Sequence, residues 1–251
     1  MLQQTQVARV IPKWEAFLEA FPAVAACASA AQSGVVRQWA GLGYHRRAAN
    51  LHRLALAVAS THDGSFPRSL RALINLPGIG PYTARAVLAF AFEEDAAVVD
   101  TNVGRIVARS ITGRPCSPAE AQSVADALSP SGGSWEWNQG MLDLGAIVCT
   151  KRQPSCGECP VAGICAWRRS GGETDPAIGS AAVSGRQSRF EGSDRQGRGR
   201  LLSALRRGPV GHPELGRAMG WPTDHARAVR VAASLVRDGL VRSVGDQLVL
   251  A

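Results

Sequence analysis

The chain has 251 residues, 45% of them hydrophobic, with a formal net charge of +8 and a pI of about 9.8. That length accommodates one large domain or two smaller ones with a sizeable core. The positive excess points to a polyanionic partner, for which nucleic acid is the usual candidate. No stretch is long and apolar enough to cross a bilayer. Met1–Thr5 lacks the basic start and apolar run of a signal peptide, so neither a membrane nor a secreted setting is expected.

From the start of the chain, Val7, Val10, Ile11, Trp14, Phe17, Leu18 and Phe21 recur at helical spacing, and Phe21-Pro22 ends that helix. Leu51, Leu54, Ala55 and Val58 repeat the pattern, as do Val87, Leu88 and Phe90, then Val103, Ile106 and Val107. Residues 1–168 therefore read as almost wholly helical, and no hairpin or period-two strand interrupts them. Between two of these helices lies Leu76-Pro77-Gly78-Ile79-Gly80, with one helix predicted over Ser69–Leu76 and the next over Pro81–Phe92. Glycines permit positive φ and a close approach of backbone to ligand. Proline at the first helical position costs no hydrogen bond, and the free N–H groups there bind a phosphate oxygen. This is a helix-hairpin-helix motif. It grips a DNA backbone without reading sequence.

Cys149, Cys156, Cys159 and Cys165 follow in the pattern Cys-x6-Cys-x2-Cys-x5-Cys. Four thiolates in one short segment fit one compact centre, either an iron–sulfur cluster or a zinc ion, and spacing leaves that choice open. Cys27 and Cys116 stand apart and read as ordinary buried thiols. Clustered cysteines without a secretion signal fit a reducing cytoplasm. Residues 169–199 are rich in Gly, Ser, Ala and charge and read as a flexible linker. Beyond them Leu201, Leu202 and Leu205 predict a short helix, Pro213–Met219 a second, Gly220-Trp221-Pro222 a turn and Thr223–Asp238 a third helix. Residues 240–244 and 247–250 form a hairpin about Gly245-Asp246. Three helices and a hairpin are the layout of a small winged-helix module.

The hairpin, the cysteine cluster and the intervening Val99-Asp100-Thr101-Asn102-Val103 resemble the endonuclease III superfamily of base-excision DNA glycosylases. The opening Met1–Val7, the run Gly41-Leu42-Gly43-Tyr44, and Asn138–Ala146 leading into Cys149 resemble its MutY-type adenine glycosylases. The resemblance covers residues 1–168. It implies a mainly α, helix-hairpin-helix glycosylase fold whose cysteine loop carries a [4Fe-4S] cluster; the α+β C-terminal module read from the residues departs from the family pattern. Together with the composition and periodicity beyond residue 168, where the chain departs from the family, the resemblance divides the chain into residues 1–98 (a six-helix barrel-type domain with the hairpin), 99–168 (the catalytic aspartate and cluster), 169–199 (linker) and 200–251 (winged helix).

The implied reaction removes adenine mispaired with 8-oxoguanine or guanine from double-stranded DNA, by a monomeric cytoplasmic enzyme associated with the nucleoid. Asp100, at a predicted helix start, is the implied carboxylate that steadies positive charge on the sugar, with Asn102 beside it. Tyr82 stands where glycosylase/lyases of the superfamily carry a lysine. A phenol forms no Schiff base, which implies base removal by water. Gln4 and Tyr44 are expected to enter the DNA stack, which an extruded base leaves open, with Gln3 and Thr5 as further DNA contacts. Leu76, Gly78, Gly80 and Arg46 are expected along the backbone, with Arg47 and Lys151 as further phosphate contacts. His45 departs from the tyrosine expected after Tyr44. The family's catalytic glutamate would precede the methionine matching Met1 by two positions, so the sequence as written is expected to turn over poorly. The alternatives are an endonuclease III-like glycosylase/lyase and a non-catalytic lesion-binding paralogue.

Overall fold

A computed structural model describes residues 1–2, 5–180 and 189–251. Gln3 and Gln4, both expected to contact DNA, lie outside them. The described chain is helical throughout its first part, as the periodicity predicts: α1 (Val7–Ala20), α2 (Val24–Ser29), α3 (Gln32–Gln38), α4 (Arg46–Thr61), α5 (Leu70–Ile74), α6 (Pro81–Ala91) and α7 (Thr101–Ile106). After α7 the helix continues as a π-turn over Val107–Thr112. Then come α8 (Pro118–Leu128), α9 (Ser134–Asp143), a second π-turn over Leu144–Val148, and α10 (Ala166–Arg169). The C-terminal part comprises α11 (Asp194–Leu205), β1 (Val210–Gly211), α12 (Leu215–Met219), α13 (His225–Arg237), β2 (Val241–Val244) and β3 (Gln247–Leu250). The sheet order is β1-β3-β2, antiparallel throughout. Helix, strand, helix, helix and hairpin is the winged-helix order. The two-residue β1 carries too little pattern to be predicted.

By contacts the described chain falls into two compact units: Met1–Phe66 with Leu76–Gly78 and Gln187–Ala251, and Pro67–Asn75 with Ile79–Arg186. In the first, the C-terminal module does not stand alone. Leu201, Leu202, Leu235 and Leu248 share one buried cluster with Val10, Phe17, Val35, Val36 and Trp39. Polar contacts cross the same seam. Arg37 donates to the Arg206 carbonyl at 2.9 Å, and Gln32 donates to the Gly239 carbonyl.

The stretch expected as a linker, residues 169–199, is partly built in. Ala177 and Ser180 are buried, and α11 begins at Asp194 with Ser193 as its cap, the Ser193 hydroxyl accepting from Gln196 N–H. Its glycine content misleads because Gly197 serves close packing. A Cβ there would lie 2.1 Å from the Trp221 ring.

The apolar repeat of α1 is only half used. Val10 and Phe17 are buried, while Val7, Ile11, Trp14 and Leu18 remain exposed.

His45, the departure from the family pattern, contacts α11's end. Its Nε2 lies 3.1 Å from Arg206 Nη2, so the neutral ring accepts from the guanidinium. Burial, and then the charges of Arg206, Arg198 and Arg47, push its pKa down to about 4. The folded state thus refuses a proton that the unfolded chain takes up near pH 6.5. Stability is expected to be full above pH 6.5 and to fall as the pH drops toward 4. His45→Gln should flatten that dependence in urea titrations run across the window.

Candidate active site and cluster loop

The second unit holds Asp100, Asn102, Tyr82 and all four clustered cysteines. The chain enters the site through residues 96–98, a buried extended stretch whose backbone groups are met by side chains. Asn138, fully buried, donates to the carbonyls of Ala96 (2.8 Å) and Ser134 (2.7 Å) and accepts from Val98 N–H at 2.7 Å. Arg85 and Gln122 donate to the Ala97 carbonyl. Asp100 then caps α7. Its Oδ1 accepts from the backbone N–H groups of Asn102 (2.7 Å) and Val103 (2.8 Å), the pattern of a carboxylate N-cap. Its Oδ2 accepts from Asn102 Nδ2 at 3.1 Å. Both oxygens are fixed. Tyr82 is half-exposed, and its pKa is raised first by burial and then by the charge of Asp100.

Behind this pair lies a residue that the sequence reading passed over. Arg105 is buried, and its guanidinium donates to Asn102 Oδ1 (2.8 Å) and to the carbonyls of Gly145 (2.6 Å), Cys149 (2.7 Å) and Thr101 (3.2 Å). Gly145 must be glycine here, since a Cβ would sit 2.6 Å from that of Asn102. The π-turn over Leu144–Val148, closed by Cys149 N–H to the Leu144 carbonyl at 2.7 Å, delivers Cys149 beside α7. Such turns recur at functional sites. The other π-turn carries Arg109, also buried. Arg109 pairs with Asp175 through two bonds of 2.9 and 2.6 Å and donates to Cys149 Sγ at 3.4 Å and the Thr150 carbonyl at 2.8 Å. Burial opposes its charge, but Asp175 and Cys149 outweigh that and raise its pKa.

Cys149, Cys156, Cys159 and Cys165 are free thiols lining one cavity, together with Val148, Pro154, Ala162 and Trp167. Among the described residues no three His, Cys, Asp or Glu side chains come together closely enough to hold a single metal ion. Zinc–thiolate bonds of about 2.3 Å would draw tetrahedral sulfurs within about 4 Å of one another. A frame of thiolates around a space suits a multi-iron cluster. The buried Trp167 Nε1–H has no acceptor among the described residues, as expected of a wall built around a sulfur-bearing group. The residues fit a [4Fe-4S] cluster, with the four cysteines as its ligands.

At the hairpin, α5 is capped by the Ser69 hydroxyl and α6 starts with Pro81 after an uncapped Gly80. Gly78 takes φ +77°, and a Cβ there would meet Asn50 at 2.6 Å; Gly80 has φ −97° and open space around it. Only the first glycine is needed for its conformation. The second keeps the helix end open. The Leu76 side chain is buried, so this position can face DNA only through its backbone.

In the first unit, Gly41, Gly43 and Tyr44 all have positive φ, with Tyr44 at 46°. That strained turn leaves the Tyr44 phenol exposed, with Arg195 donating to its oxygen at 3.4 Å. Thr5 donates to the Leu42 carbonyl at 3.5 Å. Arg46 is exposed, 3.8 Å from Asp238, and Lys151 is exposed as well. Arg47 is instead a structural staple. It donates to the carbonyls of Met1, Leu42 and Gly43 and lies over Trp39 and Tyr44.

Residues 1–127 match the HhH-GPD superfamily of base excision DNA repair proteins, and residues 149–165 match the iron-sulfur binding domain of endonuclease III. The chain is 42% identical to the adenine DNA glycosylase of Mycolicibacterium smegmatis, covering 98% of this chain and 83% of that protein. It is 42% identical to that of Mycobacterium tuberculosis (98% and 81%) and 37% identical to that of Homo sapiens (74% and 35%). Among solved structures, a thermostable thymine-DNA glycosylase superposes with a TM-score of 0.62 at 27% identity, covering 67% of this chain and 80% of that one.

Asn138 is the buried brace of this site. Asn138→Leu would remove the side-chain partners of Val98 N–H and the Ala96 carbonyl, and a loss of about 2–5 kcal/mol in denaturant unfolding is expected.

Proposed function

Because the chain belongs to the adenine DNA glycosylases of the HhH-GPD base excision repair superfamily, we propose that it removes adenine mispaired with 8-oxoguanine or guanine, and that water completes the reaction. The observation that carries this reading is the fixed Asp100 carboxylate, with Tyr82 as its neighbour in place of an amine. Base excision requires the target nucleotide to leave the stack. As the N-glycosidic bond lengthens, positive charge develops on the deoxyribose. A carboxylate already held by two backbone N–H groups and an amide needs no reorganisation to stabilise that charge. Asn102 holds the carboxylate's second oxygen. Tyr82, whose phenol feels the charge of Asp100, supplies no amine to attack C1′, so the sugar–phosphate chain is left uncut.

The uncapped start of α6, with its dipole's positive end, supports phosphate binding at Gly78–Gly80. The exposed Tyr44 on its strained turn supports a wedge into the stack, with Thr5 and Arg46 on the same unit as further contacts. The bound [4Fe-4S] cluster supplies a rigid scaffold. Its loop presents Lys151 and Arg152, both exposed, to the phosphates. The protein is proposed to act as a cytoplasmic monomer on double-stranded DNA.

Single-turnover assays with excess protein, which register slow excision as well as fast, test this reading. The substrate is a duplex with adenine opposite 8-oxoguanine. Adenine is expected to be released, with strand scission appearing only after alkali. Asp100→Asn should lower the release rate by about 10²-fold or more while leaving mismatch binding within a few-fold. Scission without alkali in the wild type, or full activity in Asp100→Asn, would overturn the assignment. Tyr82→Lys places an amine beside Asp100 and is expected to yield a borohydride-trapped covalent complex that the wild type does not form.

A further inference from the structure

One wall of the cysteine cavity carries chemistry that the four ligands do not account for. Trp167 follows the last cysteine by two residues, on α10, and lines the cavity. Its indole Nε1–H is buried and meets no acceptor among the described residues. A buried donor left unpaired costs free energy, so native structures rarely keep one without a partner. The ring cannot readily turn away. The Arg109 guanidinium lies 5.0 Å from the centre of the indole. Arg109 itself is fixed by its two bonds to Asp175 and by carbonyls of Thr150 and Lys151. The same guanidinium donates to Cys149 Sγ at 3.4 Å. A cation and an indole N–H therefore border the cavity that the four cysteine sulfurs line.

We propose that the Trp167 Nε1–H donates a hydrogen bond to a sulfur of the [4Fe-4S] cluster, a bridging sulfide or a ligand thiolate. With Arg109 it forms a donor pair that sets the cluster's reduction potential. Hydrogen bonds to cluster sulfurs stabilise the more electron-rich state and raise the potential. The pair thus disfavours loss of an electron from the resting cluster, which is the route to oxidative breakdown. Trp167 touches no DNA in this account and is a positioning residue of the cluster's surroundings.

Two variants of the full chain isolate the N–H. Trp167→Phe keeps an aromatic ring under Arg109. Incorporation of 3-benzothienylalanine at position 167 replaces only the N–H by sulfur within the same ring outline. The readouts are iron and sulfide content, the cluster's midpoint potential by voltammetry, and its Fe–S stretching bands by resonance Raman in water and deuterium oxide. Full cluster content, a more negative potential and a diminished deuterium shift of the Fe–S bands are expected in both. If Trp167→Phe fails to take up the cluster, the benzothienyl variant decides, since it preserves the packing. A cluster-loaded variant with wild-type potential and wild-type deuterium response would overturn the proposal.

Discussion

The buried guanidinium of Arg105 ties the reactive end of the second unit to its metal-binding loop. Its planar fork reaches four acceptors at once: the amide oxygen of Asn102 and the carbonyls of Thr101, Gly145 and Cys149. A buried cation is tolerated only when its donors are met, so each of these acceptors is constrained in turn. Asn102 can then offer its Nδ2 to Asp100, and Gly145 can lie against Asn102 because it has no side chain. The Asp100 carboxylate, proposed to stabilise the sugar cation, and the backbone of Cys149 are thereby parts of one hydrogen-bonded assembly. Under the proposed role of Asp100, the cysteine loop helps to set where that carboxylate sits.

Two π-turns make this assembly possible. One carries Arg109 toward Cys149 and Asp175, and the other swings Cys149 beside α7. Each inserts the fraction of a turn by which a regular α-helix would misplace those residues. In the first unit the same economy holds differently. His45 accepts from Arg206, and a shared apolar cluster joins the winged-helix elements to α1, α3 and α4. The C-terminal segment is thus part of that unit's core.

Much of this was legible in the sequence because it rests on local rules. A proline after a glycine announced α6, an aspartate before Thr-Asn announced the cap of α7, and clustered cysteines announced a metal-binding loop. The HhH-GPD and adenine glycosylase matches agree with the family that those motifs resemble. What stayed hidden depends on partners far apart in the chain. Arg105 reads as one more surface charge until Gly145 and Cys149, 40 and 44 positions later, come beside it. Asp175 sits in a segment whose composition says linker, yet it neutralises Arg109. Arg47 has the composition of a phosphate contact and the geometry of a staple. The exposed side of α1 shows the converse error, in which helical periodicity marks an apolar face without saying that it is covered. A usable signal for Arg105 existed in its spacing. It lies three residues after Asn102, on the same face of the helix.

The most direct test of this account is the adenine-release rate of Arg105→Lys, measured beside its cluster content and its affinity for the mismatch. Lysine keeps the charge but cannot reach four acceptors with one planar fork. The account predicts a rate lowered by about 10²-fold, as expected when a catalytic group is displaced by roughly an ångström, with the cluster still bound and mismatch affinity largely kept. An Arg105→Lys protein that releases adenine at the wild-type rate would contradict the coupling of Asp100 to the cysteine loop.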